Sequence, residues 1–358
     1  MLSVALPTGV LHVHVDGARW SLERLCGFAA RRNPRRGFLV VSRVLGRHLP
    51  ARPGEMRDSA RDLAALIPVD LPGPVLVLGF AETAVCLGQT VYREWRALTG
   101  REDATFLHST RQRLDAPELC RFEEPHSHAS THIVYRPALP GAAPPRSLVL
   151  VDDEVSTGTT IAQATAALVA VWPGVERIVA ASLTDWSGGA WLRALPRPAG
   201  LVALLTGGLD WTPDPAVVVE RTAQTGSLGR LPEHRNRGRL GWAGAPIDIP
   251  DVALPDGPIR IVGTGEFTFP PFLLAERLAA LGHDVVVQAI SRSPAMPGGA
   301  IGHMLAFDDN YGTGVPNYLY NADRDGGRAT LICHETPAGS VDPRLVEALD
   351  ARLIGWPA

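Results

Sequence analysis

The sequence predicts an α/β protein: a mostly parallel sheet with helices on both faces, followed by a second, smaller α/β domain. Three observations carry this. Up to about Thr206, strand-like apolar runs (GFLVVSRVL, PVLVLGFA, SLVLVDDE, RIVAASL, LVALLTG) alternate with amphipathic stretches of helix length. Between Gly207 and Pro258, proline and glycine gather in TPDP, RNRGRLGWAGAP and LPDGP with only brief apolar runs, as in an extended connector. Beyond it, IRIVGTGEF, PPFLLAERLAALG and HDVVVQAI read as strand, helix and strand. The expected division is a domain over residues 1–207, a connector over 208–255 and a domain over 256–358.

With 358 residues and 46% hydrophobic content, the chain can bury a full core, and its length fits two domains. A net charge of -3 and a pI near 6.4 disfavour nucleic acid and anionic membrane as partners and point to a small molecule. No run of about 18 apolar residues occurs, so no membrane span is expected. The start, MLSVALPTGVLHVHV, lacks a basic region and alternates like a strand. Cys26, Cys86, Cys120 and Cys333 form no C-x-x-C pair and read as reduced thiols, with the cytoplasm as the expected location. There is no lysine, so all 34 basic residues are arginine. Any anion clamp is therefore a rigid guanidinium fork, and amine catalysis is excluded. The run RRNPRR, Arg31 to Arg36, reads as a solvated turn.

The chemistry concentrates in VLVDDEVSTGTT, Val149 to Thr160. A buried strand ends in two carboxylates, and a Thr-Gly-Thr-Thr loop opens a helix. Gly158 permits the tight turn, and Ser156, Thr157, Thr159 and Thr160 supply donors beside the positive end of the helix, which suits a phosphomonoester. Asp152 and Asp153 cannot hold phosphate as well, because like charges repel. They suit the hydroxyl donors of a ribose diol and the positive charge that develops on a ribose ring.

This run resembles the motif by which type I phosphoribosyltransferases, the orotate phosphoribosyltransferase-like enzymes, bind 5-phosphoribosyl 1-diphosphate (PRPP). Most of the chain is similar to a narrower family in which such a domain precedes a TRSP domain and which accompanies tellurium-resistance gene clusters. The similarity runs through RNPRRGFLVVSRVLGRHLP, GFAETAVCLG, HSTR, EEPHSHASTH, VGTGEF, SRSP and FDDNYGTGVPNYLYN. Ser291 stands where that family usually has threonine. The resemblance implies the type I phosphoribosyltransferase fold, PRPP and Mg2+ as ligands, an unidentified acceptor and a nucleoside-like product, with a homodimer expected by analogy. Ser156 stands where purine salvage enzymes commonly carry an aspartate, which argues against that activity.

The resemblance also assigns supporting sites. In VLVLGFAET, Gly79 allows close approach to diphosphate, Phe80 and Ala81 offer main-chain N–H groups, and Glu82 organises metal-bound water, as Asp152 does indirectly. Arg111, in HSTR, is the expected diphosphate clamp and a catalytic residue. Residues 108–147 form the expected hood, in which His126 and His128 are catalytic candidates. By spacing, His126, His128 and His132 also suit a metal, and plain loop decoration stays open.

The second region repeats the landmarks of the first. GTGEF echoes GFAET, AISR echoes HSTR, and DDNYGTG echoes DDEVSTG with the same spacing. This suggests a degenerate phosphoribosyltransferase-like copy without a hood, with a candidate site at Gly263, Gly265, Glu266, Arg292, Ser293, Asp308, Asp309, Thr313 and Gly314. Val315 and Pro316 replace the hydroxyls of Thr159 and Thr160, so PRPP should bind weakly there or be lost. Two other functions stay open: a PRPP- or nucleotide-sensing module without catalysis, and a tandem enzyme like PRPP synthetase.

Overall fold

A computed structural model describes residues 1–33, 36–124, 131–141, 143–217, 228–231, 236–322 and 327–356. The chain divides into two compact units, one of residues 57–206 with 228–248, the other of 1–56, 207–227 and 249–358.

The first unit is built on strands β1 (Val75–Gly79), β2 (Ala104–His108), a hairpin of β3 (Glu118–Glu123) and β4 (Thr131–Tyr135), then β5 (Ser147–Val155), β6 (Arg177–Asp185) and β7 (Ala199–Pro213). Helix α1 (Ala84–Thr99) follows β1 and α2 (Thr159–Val171) follows β5. Within this unit the strand order is β2-β1-β5-β6-β7, and each of these neighbouring pairs is parallel. Leu76, Leu78, Leu148, Leu150, Ile178 and Ala180 pack into one core with Ile161, Ala164 and Leu168 of α2. Strands sealed on both faces need continuous apolar runs, which VLVLG and SLVLV supply.

The second unit carries β8 (Ile259–Gly263), α3 (Phe269–Ala280), β9 (Val285–Ala289), a hairpin of β10 (Met304–Asp308) and β11 (Pro316–Tyr320), then β12 (Ala329–His334), α4 (Pro343–Leu349) and β13 (Arg352–Gly355). Its sheet order, β9-β8-β12-β13, is again parallel throughout and repeats the order of β2-β1-β5-β6.

The repetition extends to individual bonds. Ser109 N donates to Gly79 O at 3.0 Å, and Ile290 N donates to Gly263 O at 3.1 Å. Thr110 bridges Ile133 of β4, and Ser291 bridges Tyr318 of β11. The Tyr135 hydroxyl accepts from Leu114 N at 2.8 Å and donates to Gln112 O at 3.3 Å. The Tyr320 hydroxyl accepts from Ala295 N at 2.8 Å and donates to Ser293 O at 2.5 Å. At both Gly79 and Gly263 a Cβ would collide with a following carbonyl, that of Ala84 or of Phe267.

These ties realign the landmarks read from the sequence. Asp308 and Asp309 lie at the end of hairpin arm β10, where Glu123 and Glu124 close β3 in the first unit. The counterpart of DDEVSTG is therefore the stretch from the last residue of β12, His334, to Ser340, in which Gly339, one position before the match to Gly158, has φ 78 as Gly158 has φ 77. The expectation that the second copy lacks a hood is corrected too, because β10 and β11 occupy the place of β3 and β4. Spacing alone had matched a hairpin arm to a sheet strand.

The linear division at 207 and 256 also differs from the packing. Cys26–Arg31 pairs with Phe38–Ser42 and with Ala295–Gly299, and Ala51 bridges Val287, so residues 1–56 pack with the C-terminal segment. In the expected connector, Gly229–Arg230 pairs with Gln112–Arg113 and Trp242 bridges Phe106, which joins 228–248 to the first unit.

Candidate functional site

At the carboxyl edge of the first sheet, β5 stays buried to Val151 and emerges half-buried at Asp152, Asp153 and Glu154. Gly158, in the left-handed region, then starts the 13-residue α2, whose first turn has neither a side-chain cap nor an acidic residue. Thr159 N donates to Thr157 Oγ at 3.4 Å, and the N–H groups that follow it in the first turn carry no side-chain cap, which suits an outside anion. Thr157 and Thr159 join through their hydroxyls at 2.9 Å, so that part of the loop is ordered in advance. A Cβ on Gly158 would fall within the indole of Trp191, which Ser187 holds at 2.9 Å from Nε1.

The aspartates are a strained pair. Asp152 Oδ1 accepts from Asp153 N at 3.0 Å, and Asp153 Oδ1 accepts from the Thr83 hydroxyl at 2.7 Å. Burial first, then the charges of Asp153 and Glu124, push the Asp152 carboxyl well above the usual carboxylate range. Burial also raises Asp153, against the lowering hydrogen bond from Thr83. A ligand that brings hydroxyl donors or positive charge relieves this pair.

In the loop after β1, Phe80 N donates to Val151 O at 3.1 Å and Ala81 N donates to Ser109 Oγ at 2.9 Å. Both amides are bonded within the fold in this structure and shape the loop, where the sequence suggested donors to diphosphate. Glu82 and Thr83 beyond them are half-buried. Arg111 is buried, in an ion pair with Glu124 at 2.8 Å, and it also donates to Ala81 O at 3.3 Å. Burial alone would raise Glu124, but the hydrogen bond to His132 and the charge of Arg111 hold it down at about 2.

His132 is no loop decoration. It is fully buried, stacked on Phe122 with ring centres 4.6 Å apart, with Nδ1 2.8 Å from Ser109 Oγ and Nε2 3.3 Å from both Glu124 and Arg111. Among the described residues no group of three or more His, Cys, Asp or Glu side chains is placed to hold a metal ion. His126 and His128 lie outside the described residues. Sequence reasoning missed Glu124, Thr83 and Ser109; the only signal was their place inside the EEP, GFAET and HSTR runs.

Of the second candidate set, the structure brings Arg292 to 4.0 Å from Asp309 and buries Glu266. Thr313 N donates to Asp309 Oδ1 at 2.9 Å, Ser293 belongs to the Tyr320 tie, and Gly265 and Gly314 have φ of 57 and 69. Asp308 stands apart, exposed and paired with Arg344 at 2.9 Å. Tyr311 lies over this edge, its hydroxyl 3.0 Å from Thr264 O and 3.1 Å from Glu335. Helix α4 has seven residues, and the Asp342 side chain caps it by accepting from Arg344 N. Its positive end is therefore already matched by a carboxylate of the chain.

A family described as phosphoribosyl transferase matches residues 25–207, just over half of the chain. The chain belongs to this phosphoribosyl transferase family. A TRSP domain, described as C-terminal to that transferase, matches residues 224–349. The phosphoribosyl transferase is similar in part to adenine phosphoribosyltransferase from Rhodothermus marinus, at 15% identity over 51% of this chain and 95% of that one, with a TM-score of 0.33. The adenine enzyme of Thermoanaerobacter pseudethanolicus matches at 20% identity over 43% and 81%, with a TM-score of 0.30. Orotate phosphoribosyltransferase from Aeropyrum pernix matches at 17% over 48% and 80%, with a TM-score of 0.29. No curated protein matches the sequence. The transferase is thus a PRPP-dependent pentosyl transferase by family, and among its described residues no helix is long and apolar enough to cross a membrane.

Proposed function

We propose that the first unit binds PRPP and transfers its phosphoribosyl group to an acceptor in the synthesis of a nucleoside-like metabolite. The observation that carries this is the pairing of two crowded carboxylates, Asp152 and Asp153, with the uncapped start of α2. The 5-phosphate takes the α2 amides and the hydroxyls of Ser156, Thr157, Thr159 and Thr160, with Gly158 making the turn. The ribose hydroxyls donate to Asp152 and Asp153. Arg111 and the loop from Gly79 through Phe80 and Ala81 to Glu82 face the diphosphate. As the C1–oxygen bond to diphosphate breaks, pyrophosphate leaves with the electron pair, the acceptor's lone pair closes on C1, and the acceptor gives up its proton. The aspartates stabilise the positive charge that the ring carries between these events.

Mg2+ fits as a cation that arrives on the diphosphate, because such an ion needs only one or two carboxylates beside phosphate oxygens and water. It would neutralise the leaving group, while Asp152 and Glu82 orient its water. Cytoplasmic location and a homodimer remain part of this proposal, as does an acceptor other than a purine, from Ser156. The repeated strand order is what a tandem enzyme like PRPP synthetase would need. Against that reading, α4 is short and capped by Asp342, where a phosphate helix should be open.

The test is calorimetric titration of PRPP with Mg2+ into the whole protein and into an Asp152→Asn, Asp153→Asn variant. Binding to the former that is lost in the latter supports the donor site. Binding to neither overturns it, and equal binding to both relocates it.

A further inference from the structure

The two sheets provide an internal control for which contacts serve the scaffold and which serve the reaction. Both have the tyrosine tie, the bridge from the strand after the first helix to the hairpin, and an arginine facing the acid that ends the first hairpin arm. Among the described residues, one link occurs in the first alone. Ser109 directly precedes Thr110, and His132 directly precedes Ile133, the bridge partner of Thr110. The same positions in the second sheet hold Ile290, before Ser291, and Asn317, before Tyr318. Ile290 has no side-chain hydrogen bond to give, and Asn317 Nδ2 turns back to Val315 O at 3.2 Å. The scaffold therefore closes without a serine–histidine link.

A buried imidazole costs free energy unless both nitrogens find partners. His132 finds them, and the result is a ring of contacts: Ala81 N to Ser109 Oγ at 2.9 Å, Ser109 Oγ to His132 Nδ1 at 2.8 Å, His132 Nε2 to Glu124 at 3.3 Å, Glu124 to Arg111 at 2.8 Å, and Arg111 to Ala81 O at 3.3 Å. Glu124 closes on Arg111 and on Nε2 from the hairpin side. The Ala81 peptide, at the centre of the loop facing diphosphate, is thereby held at both its N–H and its carbonyl.

We infer that Ser109 and His132 are positioning residues that fix the diphosphate loop and Arg111 for phosphoribosyl transfer. This rests on the PRPP reading above, and it places the effect at the diphosphate end alone. The 5-phosphate and ribose contacts lie on β5 and α2, outside the ring.

The test compares three ligands by titration: PRPP with Mg2+, pyrophosphate with Mg2+, and ribose 5-phosphate. His132→Phe keeps the stacked ring and removes both nitrogens. It should weaken PRPP and pyrophosphate about tenfold, the effect of one lost buried hydrogen bond, and leave ribose 5-phosphate within about twofold. His132→Asn, which keeps a polar atom near Ser109, should recover most of the loss. Ser109→Ala, which leaves the imidazole in place, should reproduce the split if His132→Phe fails to fold. Equal losses for all three ligands would mean a structural role and overturn the inference, as would no loss at all. If the unaltered protein binds ribose 5-phosphate and pyrophosphate but the variants match it, the inference alone falls. If it binds none of the three, the PRPP reading falls and takes this one with it.

Discussion

The sheet of residues 75–213 and the sheet of residues 259–355 share strand order, hairpin placement and a buried tyrosine tie, yet they differ wherever an anion would arrive. In the first, a 13-residue helix opens uncapped behind two crowded aspartates. In the second, a seven-residue helix is capped by Asp342, and Tyr311 lies against Glu335. The scaffold is thus separable from the chemistry. Packing and backbone ties persist in both, while the groups proposed to meet phosphate are present in one.

The comparison breaks most sharply at two left-handed glycines. Alanine at Gly158 or at Gly339 carries the same backbone strain, about 1–2 kcal/mol. Only at Gly158 does the new Cβ also meet a ring, that of Trp191; at Gly339 there is open space. Denaturant midpoints should therefore place Gly158→Ala at a loss of about 3 kcal/mol or more, and Gly339→Ala at about 1–2. Equal losses would show that the phosphate loop is no tighter than its counterpart. Next come the shared ties: Tyr135→Phe deprives the Leu114 amide of the Tyr135 hydroxyl, and Tyr320→Phe removes one of two acceptors of the Ala295 amide, which keeps Ser293 O at 3.0 Å. Each should lose about 1–3 kcal/mol, with the two alike within about 1 kcal/mol. A loss confined to one would mean that the repeat is geometric without being energetic.

Asp152→Asn sharpens the difference at the site. Because the folded-state pKa is raised, the native protein holds more protons than the unfolded chain above 3.8, and stability falls as pH rises through that window. Melting curves across pH should show this fall in the unaltered protein and its absence in the variant, which should melt higher than the unaltered protein at neutral pH while losing PRPP. Parallel curves would mean that the pair is not strained. A slope of the opposite sign is expected at Glu124. Held at about 2 against 4.5 when unfolded, it stabilises above 4.5 and loses that contribution as pH falls toward 2. Glu124→Gln should flatten the acid limb of the same curves, and an unchanged limb would remove His132 and Arg111 as its partners.

Much of this was legible in the sequence. The apolar runs VLVLG and SLVLV announced buried parallel strands, and the acids followed by Thr-Gly-Thr-Thr announced the turn into α2. What sequence could not give was the partner of each segment. Asp308 and Asp309 read like Asp152 and Asp153 because two acids before a glycine loop look alike whether they end a sheet strand or a hairpin arm. The commitments of the Phe80 and Ala81 amides depend on Val151 and Ser109, remote in the chain. His132 looked like one of three loop histidines, since nothing local says that Phe122 stacks on it. Residues 1–56 gave no sign of packing with the C-terminal segment, because strand pairing is set by register across the fold.

The indole of Trp191, pressed against Gly158, has a consequence for observation. It is the aromatic ring nearest the turn that phosphate should occupy, and Ser187 fixes its Nε1. Emission from an indole shifts with the field around it, so the loop carries its own optical label. Filling the site with inorganic phosphate alone should alter the emission of the unaltered protein, and Trp191→Phe should silence that response.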